Sequence, residues 1–482
     1  MITLGLDLGT SALKLALVRD GDEIIASASR TLSVQRPAPG HSEQDPAAWW
    51  AAACEGLDEL RIKAPDALAE TVAIAISGQM HGATLIDAAG NTLRPCILWN
   101  DGRSQLECAE FEAAWGASRL VTGNLAMPGF TAPKLLWVRK HEPEIFARIA
   151  KVLLPKAWLM WKLTGQFVEE MSDASGTLWL DVAQRRWSAE ALAATGLSET
   201  QMPRLVEGSA VAAELSAECT ARWGFKRAPL LAGGAGDNAA GAVGVGAVRP
   251  GDAFVSLGTS GVLWATTAGF APNPARAVHA FCHALPNTWH QMGVLLSAAS
   301  SLAWWAQVSG LPEAQLVAEA EAANISKGVM FAPYLNGERT PHNNAALRGG
   351  FAQLAADSSR AQMTQAVLDG VAYALRDCQA ALLDAGTTLH EASVLGGGAR
   401  SAHWVQGLAD TLGVPLHQVA ESEYGGALGA ARLALMAAGA GLDVARPAQR
   451  LRTFEPRADA QQRHTEQYAR WQKLAVHARD FT

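Results

Sequence analysis

Cysteine is scarce. Only Cys54, Cys96, Cys108, Cys219, Cys282 and Cys378 occur in 482 residues, and no pair shows CxxC spacing. That scatter excludes a disulfide framework and a zinc ribbon and fits a reducing compartment. No apolar run approaches the ~18 residues that span a bilayer, and the N-terminus, interrupted at Asp7, lacks the basic start and small-residue cleavage site of a signal peptide. Basic clusters are absent too: 39 Lys and Arg face 46 Asp and Glu, a net charge of −7, so nucleic acid is excluded as an expected partner. No G-x4-GK[ST] string occurs, which excludes a P-loop nucleotide site. Low-complexity linkers are missing as well. Together these absences predict a soluble, cytoplasmic, globular protein.

What the chain does have is apolar material, 49% hydrophobic against 18% charged residues, enough for large buried cores. Its length suggests two or three domains at about 150 residues each. The strands ITLGLDL and ALKLALVR flank a Gly9-Thr10-Ser11 turn, and DEIIASASR follows. Asp45 and Pro46 then open a helix as N-cap and first-turn proline, and TVAIAISG reads as a buried α/β strand, giving the order βββαβ. After the punctuation VRPGD, the string AFVSLGTSGVLWATT restarts with strand, glycine turn and strand, an internal duplication on the scale of a domain. The second half continues with the strand WHQMGVLL, a helix from near Ser297, the loop YLNGERTPHNNAALRGG and a long helix from about Arg360 to Ala385. A strand, glycine turn and helix with Ser401 as N-cap follow, then a glycine-rich helix and a solvent-facing helix over Asp459–Asp480.

A hairpin with Gly-Thr-Ser at its tip offers backbone N–H groups and hydroxyls to phosphate oxygens. Asp7, just before the first such turn, would repel phosphate without a cation between them, so hairpin and carboxylate together describe a magnesium-phosphate site. The string Gly234-Ala235-Gly236-Asp237-Asn238-Ala239 formally matches a dinucleotide fingerprint, but Asp237 would then oppose the pyrophosphate. The same carboxylate makes better sense facing a substrate hydroxyl. At a helix N-terminus it is expected to stay ionised in the dipole field and to act as a weak base, which suffices for phosphoryl transfer. Polar clusters at strand ends, Gln79 and His81 in SGQMHGATL and Trp99, Asn100, Asp101 and Arg103 in CILWNDGRS, supply the mixture of donors, acceptors and aromatic face that a polyol needs. His279, Cys282 and His283 in HAFCH lack a fourth ligand at a usual spacing and read by default as buried strand-end side chains.

GLDLGTSALK, ISGQMHGATL, LWNDGR, NLAMPGFTAPKLLWVRKHEPE, GAGDNAAGAVGVG, SLGTSG, GERTPHNN and LGGGARS together resemble the FGGY carbohydrate kinases, over residues 1 to about 440. The resemblance implies an α/β protein of two duplicated ribonuclease H-like domains of the actin and hexokinase type, residues 1–249 and 250–482, with ATP in the cleft between them. It implies that Asp7 and Asp237 hold Mg2+, that Thr10, Ser11 and Lys14 lie near the transferring phosphate, and that Gly258, Thr259 and Ser260 hold phosphates from the other side. Gly396, Gly397, Gly398, Gly425 and Gly426 would flank the adenosine. Gln79, Met80, His81, Trp99, Asp101, Arg103 and Asn238 would contact a ketose, and Asp237 would take its proton. The QMHG and WNDGR strings favour D-xylulose; ribulose, rhamnulose, gluconate or glycerol are alternatives, and a homodimer stays open. An actin-like nucleotide switch or a non-catalytic sugar-binding protein would leave Asp237 or the missing export signal unexplained.

Overall fold

The computed structural model describes residues 1–323, 328–420 and 424–477. Two mixed sheets organise it. In the first, the strands Ile2–Leu8, Ala12–Arg19 and Glu23–Thr31 form an antiparallel meander. Thr71–Gly78 and Leu230–Ala232 add parallel strands on the other side of Ile2–Leu8. The second sheet repeats the plan. Ala253–Leu257, Gly261–Thr267 and Trp289–Leu295 are its antiparallel meander, and Ala392–Leu395 and Leu416–Val419 are its parallel strands. The duplication read from LGTS is therefore a duplication of topology, and each LGTS joins the first two strands of its sheet.

The helix Pro46–Lys63 starts where the sequence places it: Asp45 accepts a hydrogen bond from the Ala47 N–H at 2.9 Å. Ser401 caps Ala402–Leu412 by accepting from Trp404 N–H at 3.2 Å, and Arg360–Asp384 ends just before Gly386, whose φ is +86°. The C-terminal helix runs over Ala458–His477; the rest of its expected span lies outside the described residues. Among the described residues no helix is long and apolar enough to cross a membrane.

One helix crosses between the two halves. Gly425–Ala437 leaves the second sheet but packs on the first: a Cβ on Gly5 would stand 1.8 Å from the carbonyl oxygen of Ala427, and one on Gly429 1.9 Å from that of Ala240. Glycines at 5 and 429 thus permit a backbone approach that any side chain would block. Buried Arg432 fastens the crossing, donating to the carbonyls of Gly21, Val243, Gly244 and Arg446 at 2.9–3.1 Å and to Asp22 Oδ1 at 2.9 Å. The same helix therefore braces Asp237–Val245, on whose residue 240 it leans.

Gly→Ala on these two facing helices should have opposite signs. Gly429→Ala must push backbone from backbone and should destabilise by about 1–3 kcal/mol. Gly241→Ala on the partner helix meets nothing within 4 Å and should be neutral or stabilise by up to about 1 kcal/mol through helix propensity. Urea melts of the two variants check this; equal effects would show that the helices can separate freely.

Candidate active site

The first hairpin turn is held from below by amides. Gln44 Nε2 donates to the Thr10 carbonyl at 2.7 Å, Thr10 Oγ1 donates to Gln79 Oε1 at 2.9 Å, and Gln79 Nε2 donates to Gln44 Oε1 at 2.9 Å. Trp99, with 45% of its surface exposed, donates its indole N–H to Thr10 Oγ1 at 3.0 Å. The turn is thus rigid while Ser11 remains exposed at its tip. Lys14 stands opposite Asp7 in the strand register and over the Tyr424 ring at 5.8 Å.

Asp7 sits at the end of its strand, accepting from Ser77 Oγ at 2.7 Å. Burial raises the pKa of its carboxyl, against the opposing influence of Ser77 and Lys14. A Cβ on Gly426 would lie 2.7 Å from Asp7 Cγ, so this glycine, expected at the adenosine, stands against the carboxylate; Gly425 beside it is open. Asp237 is the first residue of Asp237–Val245, and its Oδ1 accepts from both the backbone and side-chain nitrogens of Asn238, at 2.7 and 3.0 Å. Gly234, at φ +80° and where a Cβ would stand 2.0 Å from the Ile76 carbonyl oxygen, makes the turn that aims this helix start at the end of the Thr71–Gly78 strand.

The expectation that the helix dipole keeps Asp237 strongly acidic does not hold. Burial, and then the charge of Asp7, push the carboxyl up to about 7. Desolvation and a like charge outweigh the dipole of a helix only nine residues long. The result suits a base better than the sequence reading did, since a general base works best with a pKa near the working pH.

This shift is also a stability statement. Between 3.8 and about 7 the folded carboxyl holds its proton more firmly than the unfolded one, so this group's contribution to stability falls as pH rises through that window. Asp237→Asn cannot ionise, so it should melt above the wild type at pH 8, with the difference shrinking as pH falls towards 4. A variant less stable than wild type at pH 8 would contradict the placement of two facing carboxyls.

His81 adopts a left-handed backbone (φ +71°) beside Met80, whose side chain lies against Gly236. Its Nδ1 is 2.7 Å from the Gly176 carbonyl, which can only accept, so Nδ1 carries the proton and Nε2 is left as an acceptor. Burial, with the charge of Lys134 as the next cause, pushes the imidazole down to about 3, so it is neutral. Lys134 itself is buried, pushed down to about 7 by desolvation, and donates to the His81 carbonyl at 3.0 Å and to the Gly129 carbonyl. From the second half, Arg339 Nη1 lies 3.3 Å from His279 Nε2, and His279 Nδ1 is 2.9 Å from Asn124 Oδ1. His279 and Phe281 pack around Phe130, which packs on His81. Through Arg339, the GERTPHNN loop therefore braces the aromatic cluster behind His81.

Asp101 and Arg103 lie together but are committed to each other. Arg103 donates from N and Nε to Asp101 Oδ1 at 2.9 Å and from Nη2 to Oδ2 at 2.7 Å, and Ser42 N–H donates to Oδ2 at 2.6 Å. All four lone-pair positions of that carboxylate are used. Arg103 also pairs with Glu43 at 2.7 Å and stacks over Trp137 at 4.9 Å. The pair therefore builds the wall beside Gln44 and Trp99.

The second hairpin exposes Thr259 and Ser260, while the Gly258 and Thr259 carbonyls accept from Ala299 and Ala298 N–H at 2.8 and 3.0 Å. Gly396, at φ +89°, and Gly398 lie against Leu257, whereas Gly397 is open. Among the described residues the hydrogen-bond partners of Thr10 all belong to the first half and those of Thr259 to the second. In HAFCH, His283 Nε2 is 3.2 Å from the Ala247 carbonyl and Cys282 Sγ is 3.4 Å from that of Val182, so the three side chains serve different partners. Sequence reasoning missed Gln44, Ser77, Lys134 and Gly176. Lys134 alone had a signal, a lysine inside the apolar run FTAPKLLW.

Comparison with known proteins agrees with this geometry. A protein named "Xylulose kinase" from Escherichia coli (strain K12) is 51% identical over 437 residues, 90% of each chain, and its namesake from Bacillus subtilis (strain 168) is 34% identical over 487 residues, 99% of this chain and 97% of that one. The crystal structure of "a xyloylose kinase from Brucella ovis" superposes with a TM-score of 0.97 at 50% identity, covering 99% of this chain and all of that one. "Xylulose kinase from Rhodospirillum rubrum" gives 0.93 at 29% identity, covering 100% and 99%. Residues 2–244 match the N-terminal domain and residues 253–438 the C-terminal domain of one family. The two repeated sheets are the two domains of an actin- and hexokinase-like sugar kinase, and the chain belongs to the FGGY family of carbohydrate kinases.

Proposed function

We propose that this kinase transfers the γ-phosphoryl group of ATP to D-xylulose, forming D-xylulose 5-phosphate. The observation that carries the reading is the Asp7–Asp237 pair at the end of the first sheet, with the Oδ2 of Asp237 taking no hydrogen bond among the described residues and its pKa raised to about 7. The substrate is the one named for the E. coli relative at 51% identity. His81 Nε2 and the Asn238 side chain orient sugar hydroxyls, Met80 and Trp99 cover its carbon skeleton, and Gln79 fixes the turn above. Asp101 and Arg103 act from behind, holding Ser42, Glu43 and the rim. Asp237 accepts the hydroxyl proton late, as the new P–O bond forms.

Thr10, Ser11 and Lys14 on one side and Gly258, Thr259 and Ser260 on the other would hold the phosphates, with Gly396, Gly397 and Gly398 beside the nucleoside. Asp7 and Asp237 fit Mg2+ by donor chemistry: oxygen ligands only, one or two carboxylates, the remaining positions left to water and phosphate. Among the described residues no cluster of three or more His, Cys, Asp or Glu forms a complete metal cage. When bound, the cation would neutralise charge on the phosphates. Closure of the halves, driven by sugar and nucleotide together, would bring both hairpins onto one nucleotide.

The test is ADP release from Mg-ATP with a panel of ketoses and polyols. D-xylulose should give the highest kcat/KM, and ribulose, rhamnulose, gluconate and glycerol should be at least tenfold poorer; a better second sugar would reassign the substrate.

A further inference from the structure

A sizeable cavity lies away from the carboxylate pair. It lies in the second half, lined by the helices Arg360–Asp384, Ala402–Leu412 and Ala458–His477, and holds about 510 Å3, a size usual for small-molecule sites. Neither LGTS turn, nor Gly396–Gly398, nor Asp237 lines it.

Its buried floor is polar and pre-ordered. Tyr373 Oη donates to Gln467 Oε1 at 2.8 Å and lies 3.1 Å from His464 Nδ1. A second chain runs from His403 Nε2 to Gln365 Oε1 at 2.7 Å and from Gln365 Nε2 to Asp369 Oδ1 at 2.9 Å. The rim is cationic. Arg457 is neutralised by Asp410 at 2.6 Å, whereas Arg463, Arg470 and Arg452, the last stacked over the Phe454 ring at 4.6 Å, form no ion pair among the described residues. The lining acids are Glu321 and Asp369, and burial raises the pKa of the Asp369 carboxyl. Three guanidiniums without a carboxylate partner, beside a floor of fixed hydroxyl, amide and imidazole groups, match a ligand with an anionic end and a polyhydroxyl body.

We propose that this cavity is a second ligand site, separate from the catalytic cleft, that binds a phosphate-bearing small molecule of the sugar-phosphate class. The rim arginines take the phosphate, and the Tyr373 and Gln365 chains take the hydroxyls. Arg463 and Arg470 share a helix with the cavity and touch none of the residues placed in the cleft, so their removal should leave phosphorylation intact.

The experiment is calorimetric titration of the full chain, saturated with Mg-ADP to occupy the cleft, with glucose 6-phosphate, inorganic phosphate and glucose as separate probes. Glucose 6-phosphate should bind at one site, more weakly as salt rises, and at least tenfold more weakly to Arg463→Ala/Arg470→Ala, with kcat for the kinase reaction unchanged. Arg452→Ala alone gives an independent reading of the same rim. Phosphate binding as tightly as glucose 6-phosphate would assign the site to the free anion, and tighter binding of the ester assigns it to the sugar phosphate. Equal binding of glucose, no heat with either anion, or affinity indifferent to the arginine variants would overturn the proposal.

Discussion

Asp237→Asn should lower kcat by ~10²-fold or more while leaving the affinity for the sugar nearly unchanged. The asparagine keeps the size of the side chain, and its oxygen can still accept from the Asn238 backbone and side-chain nitrogens, as Asp237 Oδ1 does at 2.7 and 3.0 Å. What it loses is the capacity to take a proton. Binding energy supplied by His81, Asn238 and Trp99 is untouched, so the loss should fall on turnover and not on KM. Because the same substitution removes a charge whose pKa is raised by desolvation and by Asp7, the variant should also be the more stable protein at pH 8. A folding defect would lower both activity and stability; here they are expected to move in opposite directions. Steady-state kinetics and a thermal melt on one preparation separate the two cases.

Asp101→Ala should have the largest effect on stability, about 3 kcal/mol or more. Removing the carboxylate takes three hydrogen bonds from Arg103 and one from the Ser42 N–H, and leaves a guanidinium, 3% exposed, to share Glu43 with Arg94. The sugar site should suffer through position: Glu43 and Gln44 form a short strand, and Gln44 holds the Thr10 turn. KM for the sugar and for ATP should therefore rise together. A change under about 1 kcal/mol with KM for the sugar alone altered would show instead that Asp101 binds the ketose directly, as the family resemblance implies.

Much of the architecture is legible in the chain because it is local. Alternating apolar residues around Gly9-Thr10-Ser11 and around Gly258-Thr259-Ser260 define two hairpins, and the repetition of LGTS exposes the duplication. Asp237 is legible as a site residue because an acid follows a glycine-rich turn at a helix start. Its state of charge is not, since that depends on burial and on Asp7, 230 positions earlier. Gln44 and Ser77 are ordinary residues in the sequence and acquire meaning only when the Thr10 turn and the Asp7 carboxylate fold onto them. The glycine-rich string GGALGAARLALMA carries a signal of close backbone approach, but nothing local says that its partner is the first sheet and not the second. Asp101 and Arg103 are legible as a polar motif, but their mutual pairing, with Nη2 of Arg103 donating to Asp101 Oδ2 at 2.7 Å, is not, because it depends on how the loop folds.

The central claim is that Asp237 deprotonates the hydroxyl that receives the phosphoryl group. Its most direct test is phosphate release from Mg-ATP in the presence of 5-deoxy-D-xylulose, which keeps the other hydroxyls but lacks the accepting one. With every other contact made, the halves should close around a water held at Asp237, and slow ATP hydrolysis should rise above the rate without sugar. In Asp237→Asn that hydrolysis should fall together with the kinase reaction. Hydrolysis that ignores both the analogue and the substitution would place the chemistry away from Asp237.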